Sequence, residues 1–320
     1  MTASPSPSPS PSPTLHIVIN AGSGHQNADA TQAVIADVLG EAGRAHRFHR
    51  ADDPARLPEV AQAAVAAAQA DAGVVVAAGG DGTINTVAQA VLGSGLPFGV
   101  LPQGTFNYFS RTHGIPADTA AAARVLLTGT AQPVQVGLVN ERVFLVNASL
   151  GMYPKLLEDR EAYKRQFGRS RLVAFAAGFV TLLRAHRKLR LHFEYADVSH
   201  RVRTPTLFVG NNRLQMESIG AAGAFEQGRL AAITLRPVGF FGMLGLLLHG
   251  AMSRLADAEN VDSFGFDSLA VRPSRLRRKK PMKVATDGEV ALLEPPLVFS
   301  VSPQPLWLIK PAATGDRGAS

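Results

Sequence analysis

No cysteine occurs in the 320 residues, which excludes disulfides, thiolate catalysis and cysteine-ligated metals together. No apolar run is long enough to span a bilayer either. The longest, residues 237–252, is broken by glycines and His249 and falls short of the roughly 20 residues that a membrane helix needs, so no transmembrane helix is expected. The first 13 residues have neither a basic start nor an apolar stretch and are not expected to act as a secretory signal. Their alternating Ser and Pro read as a disordered, partly extended leader. There is no internal repeat, and the nine histidines show no metal-ligand spacing. Acidic residues are outnumbered, leaving a net charge of +7 that favours anionic partners: nucleotide phosphate, lipid headgroups or nucleic acid. Charge alone does not choose among them.

What is present is material for two cores. Hydrophobic residues make up 46% of the chain and charged ones 18%, a globular balance, and single cores stop growing below about 300 residues. From 15 onward, strand-like and helix-like segments alternate: strands at 15–20, 45–49, 73–78 and 98–101, helices at 28–43, 53–70, 83–92 and 118–127. Such alternation implies a mostly parallel sheet covered on both faces. Beyond about Gly129 the texture changes to short strand-like runs at 134–138, 143–147, 190–195, 206–209, 230–235, 268–271, 282–285 and 297–301, with helical stretches at 171–186 and 240–256. The expected division is a leader at 1–14, an α/β domain at 15–130, a β-rich domain at 131–312 and a flexible tail at 313–320.

Residues Val74-Val75-Val76-Ala77-Ala78-Gly79-Gly80-Asp81-Gly82-Thr83-Ile84-Asn85 read as a buried strand, a tight glycine turn and a helix start. Glycines admit sharp backbone bends and let phosphate oxygens reach main-chain N–H groups, while the helix N-terminus adds a favourable dipole. A carboxylate among phosphates is repulsive unless a divalent cation lies between them or it orients a hydroxyl, so Asp81 points to Mg²⁺-assisted phosphoryl transfer. A plain loop with Asp81 as helix cap is the simpler alternative. Two further turns, Asn20-Ala21-Gly22-Ser23-Gly24 and Leu101-Pro102-Gln103-Gly104-Thr105-Phe106-Asn107, end strands of the same sheet, where open parallel sheets bind ligands.

Taken in order, these motifs resemble the diacylglycerol kinase catalytic-domain family, which includes sphingosine kinases and bacterial lipid kinases. Asn20 to Gly24 resembles its Asn-Pro-x-Ser-Gly turn, Gly79 to Thr83 its Gly-Gly-Asp-Gly-Thr, and Leu101 to Asn107 its Leu-Pro-x-Gly-Thr-x-Asn. Asn147-Ala148-Ser149-Leu150-Gly151, Gly210-Asn211 and Asp287-Gly288-Glu289 look like the later motifs. The resemblance implies a nucleotide-binding domain like that of NAD kinases and phosphofructokinases, joined to a β-rich sandwich domain. It further implies ATP contacts from Asn20, Ser23, Gly24, Gly79, Gly80, Gly82, Thr83, Asn85, Thr105 and Asn107, with Asp81 near the phosphates and Mg²⁺. A general base is implied at Asp287 or Glu289, a choice the sequence leaves open, although Asp-Gly is also a strong hairpin-tip dipeptide. The chain departs from the family at Phe106, where Gly is usual, at Tyr108, where many members carry Asp, and at His49-Arg50, where relatives often offer Thr. Near the second domain's structural metal it has Gln227-Gly228 in place of Asp-Gly, with Glu226 alongside, which weakens the case for a second Mg²⁺.

The implied activity is transfer of the ATP γ-phosphate to a hydroxyl of diacylglycerol or a related lipid. Two basic clusters, Arg184, Arg187, Lys188 and Arg190, then Arg275, Arg277, Arg278, Lys279 and Lys280, are expected to hold the protein to an anionic membrane surface, or else form a solvated face. The apolar run 240–248 either walls an acyl-chain pocket or packs in the core. Cytoplasmic placement at the inner membrane face, no nucleic-acid partner, and homo-oligomerisation left open complete the reading. Its alternatives are a soluble-substrate kinase of the NAD kinase type and a non-catalytic nucleotide- or lipid-binding module.

Overall fold

The computed structural model describes residues 12–21, 28–151, 189–195, 198–212, 216–217, 228–236, 261–273 and 280–312. The chain divides into two units, residues 1–133 with 306–320, and residues 134–305.

The first unit is built on a six-stranded sheet ordered β2-β1-β3-β4-β18-β5. Its strands are β1 (Leu15–Asn20), β2 (His46–Ala51), β3 (Val74–Gly79), β4 (Pro97–Pro102), β5 (Thr130–Val134) and β18 (Leu306–Lys310). The pairings of β1 with β2 and β3, and of β4 with β3 and β18, are parallel. Strand β3 is buried at every position and β1 and β4 at all but one. Alternate residues face opposite sides of a sheet, so both faces are covered, as the unbroken Val/Ala run of β3 requires. Helices α1 (Ala28–Glu41), α2 (Leu57–Ala70), α3 (Asp81–Val91), α4 (Tyr108–Thr112) and α5 (Thr119–Thr128) supply the cover, α2 packing on α3 and α1 on α5. The Asp53 side chain caps a short 3₁₀ turn, Pro54–Arg56, so the helix expected from 53 begins at Leu57. Asp118 caps α5 by accepting from the Ala121 N–H at 2.8 Å.

Strand β18, which the sequence reading places in the β-rich domain, pairs with β4 of this first sheet. Leu306, Leu308 and Ile309 are buried there, so the boundary at 312 is corrected to the 305/306 junction.

The second unit is a β-sandwich. One sheet is ordered β10-β9-β14-β17-β6-β7, from β6 (Gly137–Val139), β7 (Arg142–Phe144), β9 (Leu189–Tyr195), β10 (Val198–Thr204), β14 (Ser268–Pro273) and β17 (Leu297–Val301). The other is ordered β13-β12-β11-β8-β15-β16, from β8 (Asn147–Gly151), β11 (Thr206–Gly210), β12 (Leu230–Leu235), β13 (Val261–Phe266), β15 (Met282–Thr286) and β16 (Glu289–Leu293). Residues two apart on each strand meet in one core: Leu191 and Phe193, Leu269 and Val271, Leu297 and Phe299 from the first sheet, Ala148 and Leu150, Leu207 and Val209, Leu230 and Ala232 from the second. The runs expected at 134–138 and 143–147 are each divided between two strands, β5 and β6 for the first, β7 and β8 for the second. The helices expected at 171–186 and 240–256 lie outside the described residues. Among the described residues, no helix is long and apolar enough to cross a membrane.

Candidate functional site

In the first unit, β1, β3 and β4 lie side by side in parallel and end level, with Ile19 beside Ala78 and Gly79 beside Pro102. The turns that follow are locked together. Asn20, at the end of β1, donates from Nδ2 to Thr83 Oγ1 at 3.2 Å, and the Gln103 N–H donates to the Gly79 carbonyl at 2.8 Å. Gly80 takes an extended conformation as N-cap of α3, so Asp81 stands in the first turn rather than capping the helix as its simpler reading supposed. Asp81 Oδ2 accepts the Asn107 N–H at 3.2 Å, tying the first turn of α3 to the turn after β4.

That second turn closes on itself. Asn107 Oδ1 accepts from the Gly104 N–H at 3.0 Å while its Nδ2 donates to the Gly104 carbonyl at 2.9 Å, and the backbone of Asn107 is left-handed at φ 47°. Asn tolerates this conformation better than most residues. The glycines are there for contact as much as for bending. A Cβ on Gly79 would lie 2.5 Å from Thr83 Cβ, and one on Gly104 would lie 2.8 Å from Asn107 Oδ1 and 3.1 Å from Gly80 Cα. Thr83, Asn85 and Asn107 are buried, whereas Thr105 and Phe106 are exposed and the Phe106 ring stacks on Tyr108 at 5.9 Å. Of the residues expected to touch nucleotide, Asn20, Gly79, Gly80, Gly82, Thr83, Asn85, Thr105 and Asn107 belong to this interlocked edge or to the helix beginning there. Ser23 and Gly24 lie outside the described residues. At the same edge Arg50 bonds to Asp29 and, at 2.6 Å, to Asp52.

The α3 N-terminus offers main-chain amides and partial positive charge, a setting for phosphate. No group of three or more His, Cys, Asp or Glu that could hold a metal occurs among the described residues. One carboxylate at a phosphate cradle fits a Mg²⁺ held chiefly by phosphate and water oxygens, the manner in which that ion usually binds.

In the second unit three motif segments converge on the connection between β7 and β8. Asp287 and Gly288 form the two-residue turn of the β15–β16 hairpin, both with positive φ, 48° and 92°. The Asp287 carboxylate accepts three main-chain N–H bonds, from Leu145 at 2.7 Å, Val146 at 2.9 Å and Asn147 at 2.9 Å. Asn211 takes the carbonyl side of the same connection, its Nδ2 donating to the Leu145 oxygen at 3.1 Å and its N–H to the Val146 oxygen at 2.8 Å. Gln135 joins them, donating to Asn211 Oδ1 at 2.8 Å and accepting from the Gly228 N–H at 2.8 Å. Glu226 and Gln227 lie outside the described residues.

Glu289 differs from Asp287. Its side chain is half exposed, and partial desolvation raises its pKa above the ordinary glutamate value; Arg142 opposes the rise and Asp287 adds to it. Arg142 reaches it from β7, with Nη2 3.3 Å from Glu289 Oε2 and Nε 2.9 Å from Thr286 Oγ1. Sequence reasoning missed Arg142, because nothing in its surroundings announces a partner 147 residues away. Of the basic clusters, Arg190 and Lys280 are described, and the remaining members and the run 240–248 are not.

Known proteins are similar to this chain in sequence and fold. A family model, the diacylglycerol kinase catalytic domain, matches residues 14–139. A protein of Pseudomonas aeruginosa named as a YegS-like lipid kinase is 32% identical over 289 residues, which are 86% of this chain and 87% of that protein. The diacylglycerol kinase of Bacillus subtilis is 39% identical over 104 residues, 32% of this chain and 34% of that one. An uncharacterized Synechocystis protein is 27% identical over 226 residues, and the chain spans half of its length. A crystal structure from Bacillus anthracis superimposes with a TM-score of 0.69 at 18% identity, covering 94% of this chain and 98% of that one, and thereby shows the same two-part fold. With the glycine turns, the Asp287 turn and this likeness along most of its length, the chain belongs to the diacylglycerol kinase catalytic-domain family, alongside the YegS-like lipid kinases.

Proposed function

We propose that the protein is an ATP-dependent lipid kinase that moves the γ-phosphate to a hydroxyl of diacylglycerol or a related glycerolipid or sphingoid base. The observation that carries this reading is the pair of glycine turns interlocked at the ends of β3 and β4, with Asp81 held in the first turn of α3. Main-chain amides of that turn bind the phosphates, and Asn20, Thr83, Asn107 and the adjoining loop residues shape the nucleotide cradle. When bound, Mg²⁺ supplies charge neutralisation between the phosphates, and Asp81 is the residue that would hold it.

Glu289 is the proton acceptor in this proposal. A lipid hydroxyl is a weak nucleophile, so its proton passes to the Glu289 carboxylate as the oxygen bonds to the γ-phosphorus and the bond from that phosphorus to the ADP oxygen breaks. A carboxylate with a raised pKa is the better base, and Glu289 is half exposed. Asp287, engaged by three amides, holds the turn. Peripheral attachment to an anionic membrane face belongs to the same proposal and is supported by the net charge of +7.

The experiment is direct. Purified protein is incubated with γ-labelled ATP, Mg²⁺ and mixed lipid vesicles, and the lipids are extracted into organic solvent. Label in a lipid band is expected and identifies the acceptor; label confined to the aqueous phase under all lipid mixtures rejects the reading.

A further inference from the structure

Arg142 belongs to β7 and Glu289 to β16, so the contact between them bridges the two sheets of the sandwich. Several features fix the arginine. Strands β6 and β7 meet in a tight turn in which Val139 pairs with Arg142. Within that turn Asn140 is clamped to the neighbouring strand: its N–H donates to the Val298 carbonyl at 2.8 Å, its Oδ1 accepts from the Val298 N–H at 2.8 Å, and its Nδ2 donates to the Glu294 carbonyl at 3.3 Å. From this anchored start the guanidinium places Nε 2.9 Å from the hydroxyl of Thr286, which is itself buried, and leaves Nη2 for Glu289 Oε2 at 3.3 Å.

We propose that Arg142 is a positioning residue of the phosphoryl transfer, its guanidinium setting where the Glu289 carboxylate points. This rests on Glu289 being the proton acceptor. Stability does not account for the arrangement. Side-chain exposures of 33% and 51% put the pair near the surface, where ion pairs contribute about 0–1 kcal/mol. Orientation is another matter, because a carboxylate free to sample several rotamers spends less time within reach of a substrate proton. The planar fork of arginine serves both partners at once; a lysine ammonium on a flexible stem does not reproduce that geometry. The charges acting on Glu289 are Arg142, which favours its ionised form, and Asp287 in the adjoining turn, which disfavours it. By strand alternation Lys283 of β15 points to the face opposite Thr286.

The test compares Arg142→Gln, Arg142→Lys, Glu289→Gln and the Arg142→Gln/Glu289→Gln double variant. For each, thermal stability, ATP affinity by direct titration, and the pH profile of label transfer to lipid are measured. Arg142→Gln is expected to melt close to the parent, bind ATP equally, lose ~10- to 100-fold in kcat at neutral pH and show its acid limb at higher pH. Arg142→Lys should recover the limb more than the rate. In the double variant the arginine substitution should add no further loss, because it acts through Glu289. A parental rate and an unshifted limb in Arg142→Gln, with Glu289→Gln inactive, overturn the role of Arg142 while leaving the base in place. A parental rate in Glu289→Gln instead removes the base, and with it this inference.

Discussion

Asp287 and Glu289 flank one glycine, yet their carboxylates have different employments. Asp287 spends both oxygens on the amides of Leu145, Val146 and Asn147, and its own N–H bonds to the Asn147 carbonyl at 2.9 Å. Hydrogen bonds to a charged acceptor contribute about 1.5–3 kcal/mol each. Asp287→Asn turns one acceptor oxygen into a donor facing a donor, and is expected to destabilise the protein by about 2–4 kcal/mol. Glu289→Gln should instead leave the melt unchanged and reduce label transfer by ~10²- to 10⁴-fold, the usual contribution of a general base. Melting curves taken beside the transfer assay check both; a stable but inactive Asp287→Asn reverses the two roles. Asp81→Asn is the matching substitution in the other unit. The one oxygen its amide keeps is placed to accept the Asn107 N–H that Asp81 Oδ2 accepts in the parent, so the fold should persist while turnover is lost, and parental turnover would remove Asp81 from the chemistry.

Strand, turn and helix at residues 74–91 act as one device, and its tolerance is narrow. Gly79→Ala would set a methyl 2.5 Å from Thr83 Cβ, so Thr83 must move and its bond from Asn20 must lengthen. Such overpacking costs about 1–3 kcal/mol, and a weakened ATP affinity in calorimetric titration is the expected companion. Helix α4 carries a second, quieter constraint. His113, at its C-terminal end, packs edge-on against Phe109, and burial with help from Lys310 pushes its pKa down to about 4 from 6.5. The folded form therefore favours neutral His113, so its contribution is full above about pH 6.5 and is lost as pH falls toward 4, where the unfolded chain binds the extra proton. After allowance for partial exposure the loss is about 2 kcal/mol. His113→Gln should shrink the difference between melts at pH 7.5 and pH 5, and an equal drop in both proteins refutes it. The sequence made the glycine device legible because each of its parts is local: Val74 to Ala78 is a continuous apolar run and the glycines interrupt it. Arg142 with Glu289, and Asp287 with Leu145, are separated by more than 140 residues, and no local pattern encodes such partners.

At the scale of the whole molecule, the change from helix–strand alternation to short strands marked the passage from the first unit to the second, and the sandwich follows from it. The return of the chain was not legible: the strand runs read from the sequence end at 297–301, and the apolar stretch Leu306-Trp307-Leu308-Ile309 carries no mark of which sheet it joins. It lies between β4 and β5, with Leu306, Leu308 and Ile309 buried. Burying each such side chain contributes about 1.5–3 kcal/mol, so a chain ending at Pro305 should lose the cooperative melt of the first unit and its ATP binding. Retention of both by that truncated chain would show that β18 is dispensable. The same strand sets an order of events during synthesis. Residues 15–107 are translated with their glycine turns complete, but the sheet that supports those turns waits for a strand translated about 200 residues later, after the whole sandwich has been translated. A nascent chain therefore carries an unfilled strand position between β4 and β5 throughout synthesis of the second unit, and folding of the sheet under the glycine turns becomes coupled to the emergence of β18.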